Sequence, residues 1–272
     1  MGRLSRHRPT AAEAISGALI VFLILCAVTP WLIAPADPLG INPLDSFQGP
    51  SLAHWFGTDE SGRDLFTRVV HGAGPSLLIG VAATAIGIGL AIVFGTAAGL
   101  GPRWLDFGTN RLLEVMFAFP GLLLALLFIV IYGPGVTTST IAVGLATAPG
   151  YARIIRSSVL SVRGAAYIEA ALVLGRTPWQ RLTRHILPNV AGTLFVLVTL
   201  GVGQSVVWAS SLSYLGLGAQ PPTAEWGAML SAGRTYISSA WWMTFYPGLF
   251  IVLSASAATV LGRAFQNRMR NS

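Results

Sequence analysis

The sequence predicts an all-α integral membrane protein with about six transmembrane helices, and three observations carry that prediction. Composition is the first: 53% of the 272 residues are apolar and only 10% are charged, for a mean hydropathy of +0.67. A soluble domain carries about 25% charged residues, so this chain lacks the means to dress a water-facing surface. Second, the apolar residues gather into six stretches, most of them close to the ~20 residues that cross ~30 Å of hydrocarbon. Third, the arginines fall mostly on one side of the membrane that those stretches define.

The first stretch, Ile15–Ile33, follows Arg3, Arg6 and Arg8. Its apolar core is too long for a signal peptide and no small-x-small cleavage site follows. Leu25 also stands where a lipoprotein box needs a small residue before Cys26, so the stretch reads as an anchor. The longest outer segment comes next and opens on the turn-forming run Ala34-Pro35-Ala36-Asp37-Pro38. Within it Ser61-x-x-Asp64 has the form of a capping box, with Asp59 and Glu60 suited to the positive end of a helix. Leu65, Phe66, Val69 and Val70 then make one apolar stripe, while Arg63, Asp64 and Arg68 face polar surroundings. These features predict a short amphipathic helix on the outer surface. Two roles stand for it: a structural brace, or a docking surface for an external partner through Asp59, Glu60, Arg63 and Asp64.

Leu77–Leu100 is the second span, Leu112–Tyr132 the third, and Thr138–Tyr151 a short fourth. Val190–Leu212 and Met243–Leu261 are the fifth and sixth. Two spans carry small residues at every fourth position, Ala83, Gly87, Ala91, Gly95 and Gly99 in one and Gly201, Ser205, Ala209 and Ser213 in the other. Such ridges let backbones approach closely in lipid, either within the bundle or against a partner.

With the N-terminus inside, the inner segments hold 14 of the 17 arginines and four acids, and the outer segments three arginines and six acids. That is +10 inside and −3 outside, the bias expected when both termini are cytoplasmic and the spans are even in number. The basic excess is therefore topological and calls for no nucleic acid.

Several chemistries are excluded. All 17 basic residues are Arg, and without Lys the chain cannot build a P-loop or a Schiff base. Cys26 is the one cysteine and reads as a small core residue; the four His are scattered without ligand spacing. No metal or cofactor site is expected in this chain. A self-powered carrier or channel would need ionisable groups at mid-membrane or inverted repeats. Glu114 is the nearest such group, and it lies one turn past Arg111 near the inner surface. An intramembrane enzyme would need clustered nucleophiles, acids or metal ligands, and neither HExxH nor GxSxG occurs.

The inner segment Arg153–Asn189 is too polar for the bilayer and too patterned for a linker. Tyr167, Ala170, Ala171 and Leu174 recur at i, i+3, i+4, i+7, a helix that Gly175 ends as a C-cap. Thr177 caps a second helix with Pro178 at its first position, and Pro188 closes it before the next span. The result is a compact knob bent at Gly175 and bearing Arg176, Arg181 and Arg184. A small-residue face with one acid, Glu169, suits insertion into a groove on another protein; the competing reading lays these helices on anionic headgroups.

Glu169-Ala170-Ala171, Gly175 and Leu187-Pro188 resemble the EAA loop of permeases in binding-protein-dependent ABC importers, with His185 in the place of the usual Ile. Three further segments resemble the C-type permease subunit of the dipeptide/oligopeptide/nickel transport family. They are Phe56-Gly57-Thr58-Asp59-Glu60-Ser61-Gly62-Arg63-Asp64, Leu215 to Pro222 with Trp226-Gly227, and Trp241-Trp242 before Pro247-Gly248. Gly262-Arg263-Ala264 departs from the Gly-Asp-Gly typical near the end. The resemblance implies a type I (MetI-like) importer architecture. Residues 1–36 would be the tail and first helix and 37–75 the outer loop. Residues 76–262 would be a five-helix permease core with coupling loop 153–189, and 263–272 a cytoplasmic tail. It also implies a homologous B-type permease partner, two cytoplasmic ATPase subunits that bind the ATP and Mg, and an extracytoplasmic solute-binding protein. Glu169, Ala170, Ala171, Gly175, Arg176, Pro178, His185, Leu187 and Pro188 would then couple to the ATPase. Gln204, Ser205, Trp208, Ser211 and Tyr214 are candidates for the pathway, the first, third and fourth sharing a face at i, i+4, i+7; ordinary interhelical hydrogen bonding is the alternative. Peptides are the cargo the resemblance implies, with nickel and haem as alternatives.

Overall fold

The computed structural model describes residues 10–270 and is helical apart from its connections, with one isolated antiparallel bridge between Thr58 and Asp64. Arg3, Arg6 and Arg8 lie outside those residues, as do the outermost residues of segments 1–36 and 263–272.

Helix α1 (Ala11–Val28) opens on a capping box. Thr10 Oγ1 accepts from the Glu13 N–H and Glu13 Oε2 from the Thr10 N–H, both at 3.3 Å. The short α2 (Pro30–Ile33) and a 3₁₀ turn, Pro43–Asp45, lead through the outer loop to α3 (Leu65–Leu100). Thirty-six residues at 1.5 Å each make α3 about 54 Å long, so its first turns stand clear of ~30 Å of hydrocarbon.

Here the structure corrects the sequence reading. There is no separate surface helix: the stripe Leu65, Val69 and Val70 is the buried start of α3, and its cap is Asp64. The Asp64 Oδ2 accepts from the Thr67 N–H and hydroxyl, both at 2.8 Å. Ser61 does not cap, because the Asp59 carboxylate captures the Ser61 and Arg63 N–H groups, each at 2.9 Å, and turns the chain at Gly62 (φ +73°).

The third predicted span is also not one helix. Helices α4 (Arg103–Phe117) and α5 (Gly121–Tyr132) meet at 87°. Pro120 has no N–H and pushes Phe119 out of the helical region, so the chain turns over Ala118–Pro120. The short fourth stretch, in contrast, is the start of a 28-residue helix, α6 (Val136–Arg163), whose inner half is polar.

Helix α7 (Ala166–Val173) and the single turn α8 (Pro178–Arg181) follow, and then a π-helical turn, Leu182–Ile186, runs without a break into α9 (Leu187–Tyr214). Pro188 therefore does not close the second helix. A proline cannot bond the carbonyl four residues back, and the wide turn accommodates it: the Leu187 N–H reaches five residues back to the Leu182 carbonyl. Helix α10 (Trp226–Gly233), which the sequence reading did not foresee, and α11 (Trp242–Arg270) complete the chain. Among the described residues four helical stretches are long and apolar enough to cross a membrane, or five when the bent α4–α5 pair is counted as one span. Helix α6 has the length, and its inner arginines lower its hydropathy.

Helix α3 sits at the centre, packed most extensively on α6 and also on α9 and α1. Its small-residue ridge makes the α6 contact. A Cβ on Gly87 would lie 2.6 Å from Thr147 Oγ1, and one on Gly95 2.8 Å from the Ala152 carbonyl oxygen. The second ridge packs inside the bundle too, with Gly201 against Thr84 and Tyr151. Gly95→Val is expected to destabilise the protein by about 1–3 kcal/mol through overpacking. Gly89→Val, which meets nothing within 4 Å, should leave thermal unfolding in detergent unchanged; equal melting of the two variants would refute the ridge.

Candidate functional site

The knob between α6 and α9 is built by local chemistry. Helix α7 ends in a Schellman turn: Gly175 adopts φ +71°, its N–H donates to the Leu172 carbonyl and the Arg176 N–H to the Ala171 carbonyl, both at 3.0 Å. One residue later a second capping box forms. Thr177 Oγ1 accepts from the Gln180 N–H and Gln180 Oε1 from the Thr177 N–H, both at 3.2 Å, with Pro178 in the first helical position. The two motifs abut, so the bend has little freedom.

Ile168, Ala171 and Ile186 face inward, and both isoleucines join the cluster of Ile155, Val159 and Val190. The opposite side is unusual for a cytosolic or headgroup-facing loop. Leu172, Val173, Leu174 and Trp179 are largely exposed, Val173 at 87%, beside exposed Glu169 and Ala170. Among the described residues the Glu169 carboxylate makes no ion pair. Gly175, Arg176, Pro178, Leu187 and Pro188 are exposed as well, and His185 is half-buried with its ring 6.3 Å from that of Tyr167.

Two long helices, α6 and the Pro178–Tyr214 run, carry the knob to the other end of the bundle. Arg163 Nη1 donates to the Gly99 carbonyl at 3.0 Å, tying the root of the knob to α3. Arg156 clamps Asp106 on α4 with two bonds, Nε to Oδ1 at 2.7 Å and Nη2 to Oδ2 at 2.9 Å. Arg153 lies 4.2 Å over the Phe117 ring at the α4–α5 elbow. The root of the knob is thus tied to α3 through Arg163, and the inner half of α6 to α4 through Arg156 and Arg153.

On α9 the structure brings Gln204, Trp208 and Ser211 to one open face. Gln204 Oε1 accepts from the Tyr151 hydroxyl at 3.3 Å, and Trp208 lies over Gly121 at the start of α5. Tyr214 is exposed at the helix end, 5.8 Å from the Arg234 guanidinium. Ser205 belongs elsewhere: it is fully buried, its hydroxyl 3.0 Å from that of Thr84 in the α3–α9 contact.

A family profile described as binding-protein-dependent transport system inner membrane component matches residues 49–271. The chain belongs to that family. Among its relatives, the dipeptide transport system permease protein DppC of Alkalihalophilus pseudofirmus is 38% identical over 257 residues, covering 94% of this chain and 84% of the relative. The glutathione transport system permease protein GsiD of Escherichia coli is 40% identical over 258 residues, covering 94% and 85%. The fold resembles the inward-facing MetNI methionine ABC transporter, with a TM-score of 0.63 at 17% identity over 75% of this chain and 97% of that one. An amino acid ABC transporter structure gives a TM-score of 0.54 at 18% identity, covering 76% and 94%. The protein is therefore a multi-pass inner-membrane permease of that family.

In this permease the outer acids named above are mostly committed to their own chain. Asp59 is buried and, besides its two backbone bonds, lies 3.4 Å from Arg63 Nη1 and 3.5 Å from Arg68 Nε. Asp64 caps α3 and meets His54 Nδ1 at 3.0 Å. Glu60 and Arg63 are half-buried and 3.8 Å apart. Arg68, expected in polar surroundings, is 4% exposed, yet its two Nη atoms donate to the Pro38 and Pro222 carbonyls at 2.9 and 3.1 Å.

The sequence reading missed a second buried carboxylate. Glu225 caps α10, Oε1 accepting from the Gly227 N–H at 2.9 Å and the Ser76 hydroxyl at 3.1 Å, Oε2 from the Ala228 N–H at 2.8 Å. Trp226 behind it donates from Nε1 to the Val69 carbonyl at 2.9 Å. An acid directly before an apolar run was the available signal.

Proposed function

We propose that this permease forms half of the translocation pathway of an ATP-driven importer of dipeptides or short oligopeptides. A homologous B-type permease supplies the other half. An extracytoplasmic binding protein delivers the solute, and two cytoplasmic ATPases hold the ATP and Mg that drive the cycle. Residues 165–188 dock in a cleft of one ATPase.

The observation that carries this reading is the exposed ridge of Leu172, Val173, Leu174 and Trp179 beside Glu169, which makes no ion pair among the described residues, on an elbow braced by two capping motifs. A solvated loop has no reason to present that much apolar surface, while a groove on a partner covers it. Glu169 would then meet a cation, a charge-assisted contact worth about 1.5–3 kcal/mol. The geometry supports a cycle of this kind. When the ATPases close on ATP they push the elbow, and α6 and α9 transmit the push to the α4–α5 bend and to the face of Gln204, Trp208 and Ser211. The names of the relatives support a peptide cargo. The arginine bias supports cytoplasmic termini, as does the 2.6 Å contact of Arg268 Nη2 with Glu13 Oε2, which sets the start of α1 beside the end of α11.

Cross-linking tests the docking. In a Cys26→Ser background, Ala170→Cys should form a specific cross-link to the ATPase subunit in membranes that hold the whole transporter. Products confined to lipid, with none on an ATPase, would sink the reading.

A further inference from the structure

Beneath the exposed ridge, on the side of the knob that faces the bundle, lies a cavity of about 310 Å³ lined by Leu100, Arg163, Ile168, Pro178, Trp179, Arg181, Leu182 and Ile186. Its walls are apolar except for two guanidinium groups, and no acid lines it. Arg163 spends one N–H on the Gly99 carbonyl. The Arg181 Nε is buried and has no hydrogen-bond partner among the described residues. A buried, unbonded N–H on a charged group is costly and calls for an acceptor. The ATPase docking proposed above gives it none, because Glu169, Ala170 and Val173 lie on the exposed side of α7 and Ile168, which lines the cavity, on its buried side.

We propose that this cavity binds an anionic lipid of the inner leaflet, its phosphate between Arg163 and Arg181 and an acyl chain against Leu100, Ile168 and Leu182. Three features identify the ligand, the last two selecting a lipid over a free anion. The charge inside is positive only, so the ligand is an anion. The remaining walls are hydrocarbon, which inorganic phosphate leaves unused. Leu100 is the last residue of a membrane-spanning helix, so the cavity opens where the apolar core of the bilayer ends. The lipid would brace the root of the coupling knob against α3 and α6. The inference rests on the membrane fold and on the side assigned to the arginines, and it is independent of whether an ATPase docks.

Native mass spectrometry of the full chain in detergent tests it, with phosphatidylglycerol, phosphatidylcholine and inorganic phosphate as probes. Phosphatidylglycerol should be retained in preference to phosphatidylcholine. Arg181→Gln should weaken it about fivefold and the Arg163→Gln, Arg181→Gln pair about thirtyfold, the fold-changes that correspond to ~1 kcal/mol per arginine at an anionic surface. Leu182→Trp, which fills the cavity and keeps both arginines, should weaken it as well. Arg103→Gln with Arg184→Gln, outside the cavity, should change nothing. The proposal is overturned if the control pair weakens binding as much as the cavity pair, if Leu182→Trp binds normally, or if phosphatidylcholine is held equally well. Displacement of the lipid by millimolar inorganic phosphate would overturn it too, by assigning the site to a free anion.

Discussion

Replacing Gly175 by Pro is expected to leave the permease in the membrane and the ATPases active, while substrate uptake by the assembled transporter falls roughly tenfold or more. Gly175 stands at φ +71°, and its N–H closes the end of α7 on the Leu172 carbonyl. Proline is fixed near φ −65° and has no N–H, so the elbow loses both its conformation and its bond, at a cost of about 3 kcal/mol. That is more than a hundredfold in the population of the correct bend. Gly175→Ala keeps the N–H and pays only the left-handed penalty of about 1–2 kcal/mol, so its loss of uptake should be smaller. Glu169→Lys leaves the bend intact and should uncouple through charge alone. The readout is the ratio of peptide uptake to ATP hydrolysis in proteoliposomes. Normal coupling in both Gly175→Pro and Glu169→Lys would show that the knob does not carry the stroke.

Asp59→Ala is the second large effect, and it concerns stability. Asp59 and Arg68 each expose 5% of their side chains and sit 3.5 Å apart, so deleting the carboxylate leaves a buried guanidinium held only by two carbonyls and strips the turn at Gly62 of its acceptor. Breaking a buried pair on one side costs about 3–5 kcal/mol. Asp59→Asn keeps an oxygen for the Ser61 and Arg63 N–H groups and should lose less. Thermal unfolding of the two variants in detergent gives the order; an Asp59→Ala protein that melts like wild type would show that the outer turn stands without the pair. The same geometry reassigns this loop. A carboxylate with four internal partners is not free to receive an external protein, so any docking there falls to exposed apolar tips such as Leu44 and Leu52.

Much of the site was legible in local chemistry. Gly175, Thr177 and Pro178 predict the bend because each constrains its own backbone within a few residues, and the small-residue ridges predict a close contact because their period matches the helix. Arg68 and Ser205 were not legible, since their partners lie far along the chain, Pro222 for Arg68 and Thr84 for Ser205, and of Glu225 only the local cap was legible, not its bond to Ser76.

The sequence by itself determined the membrane class, the apolar segments, the charge asymmetry and the bent knob. These depend on composition, on hydropathy and on constraints that act over one or two turns. Tertiary structure alone decided that the Pro120 break turns the third stretch through 87° and that Pro188 is absorbed in a π turn rather than ending a helix. It also decided which of the polar residues on α9 face a neighbour and which stay open. A bend angle and a burial pattern follow from where neighbouring helices lie, and no property of a single helix contains that information.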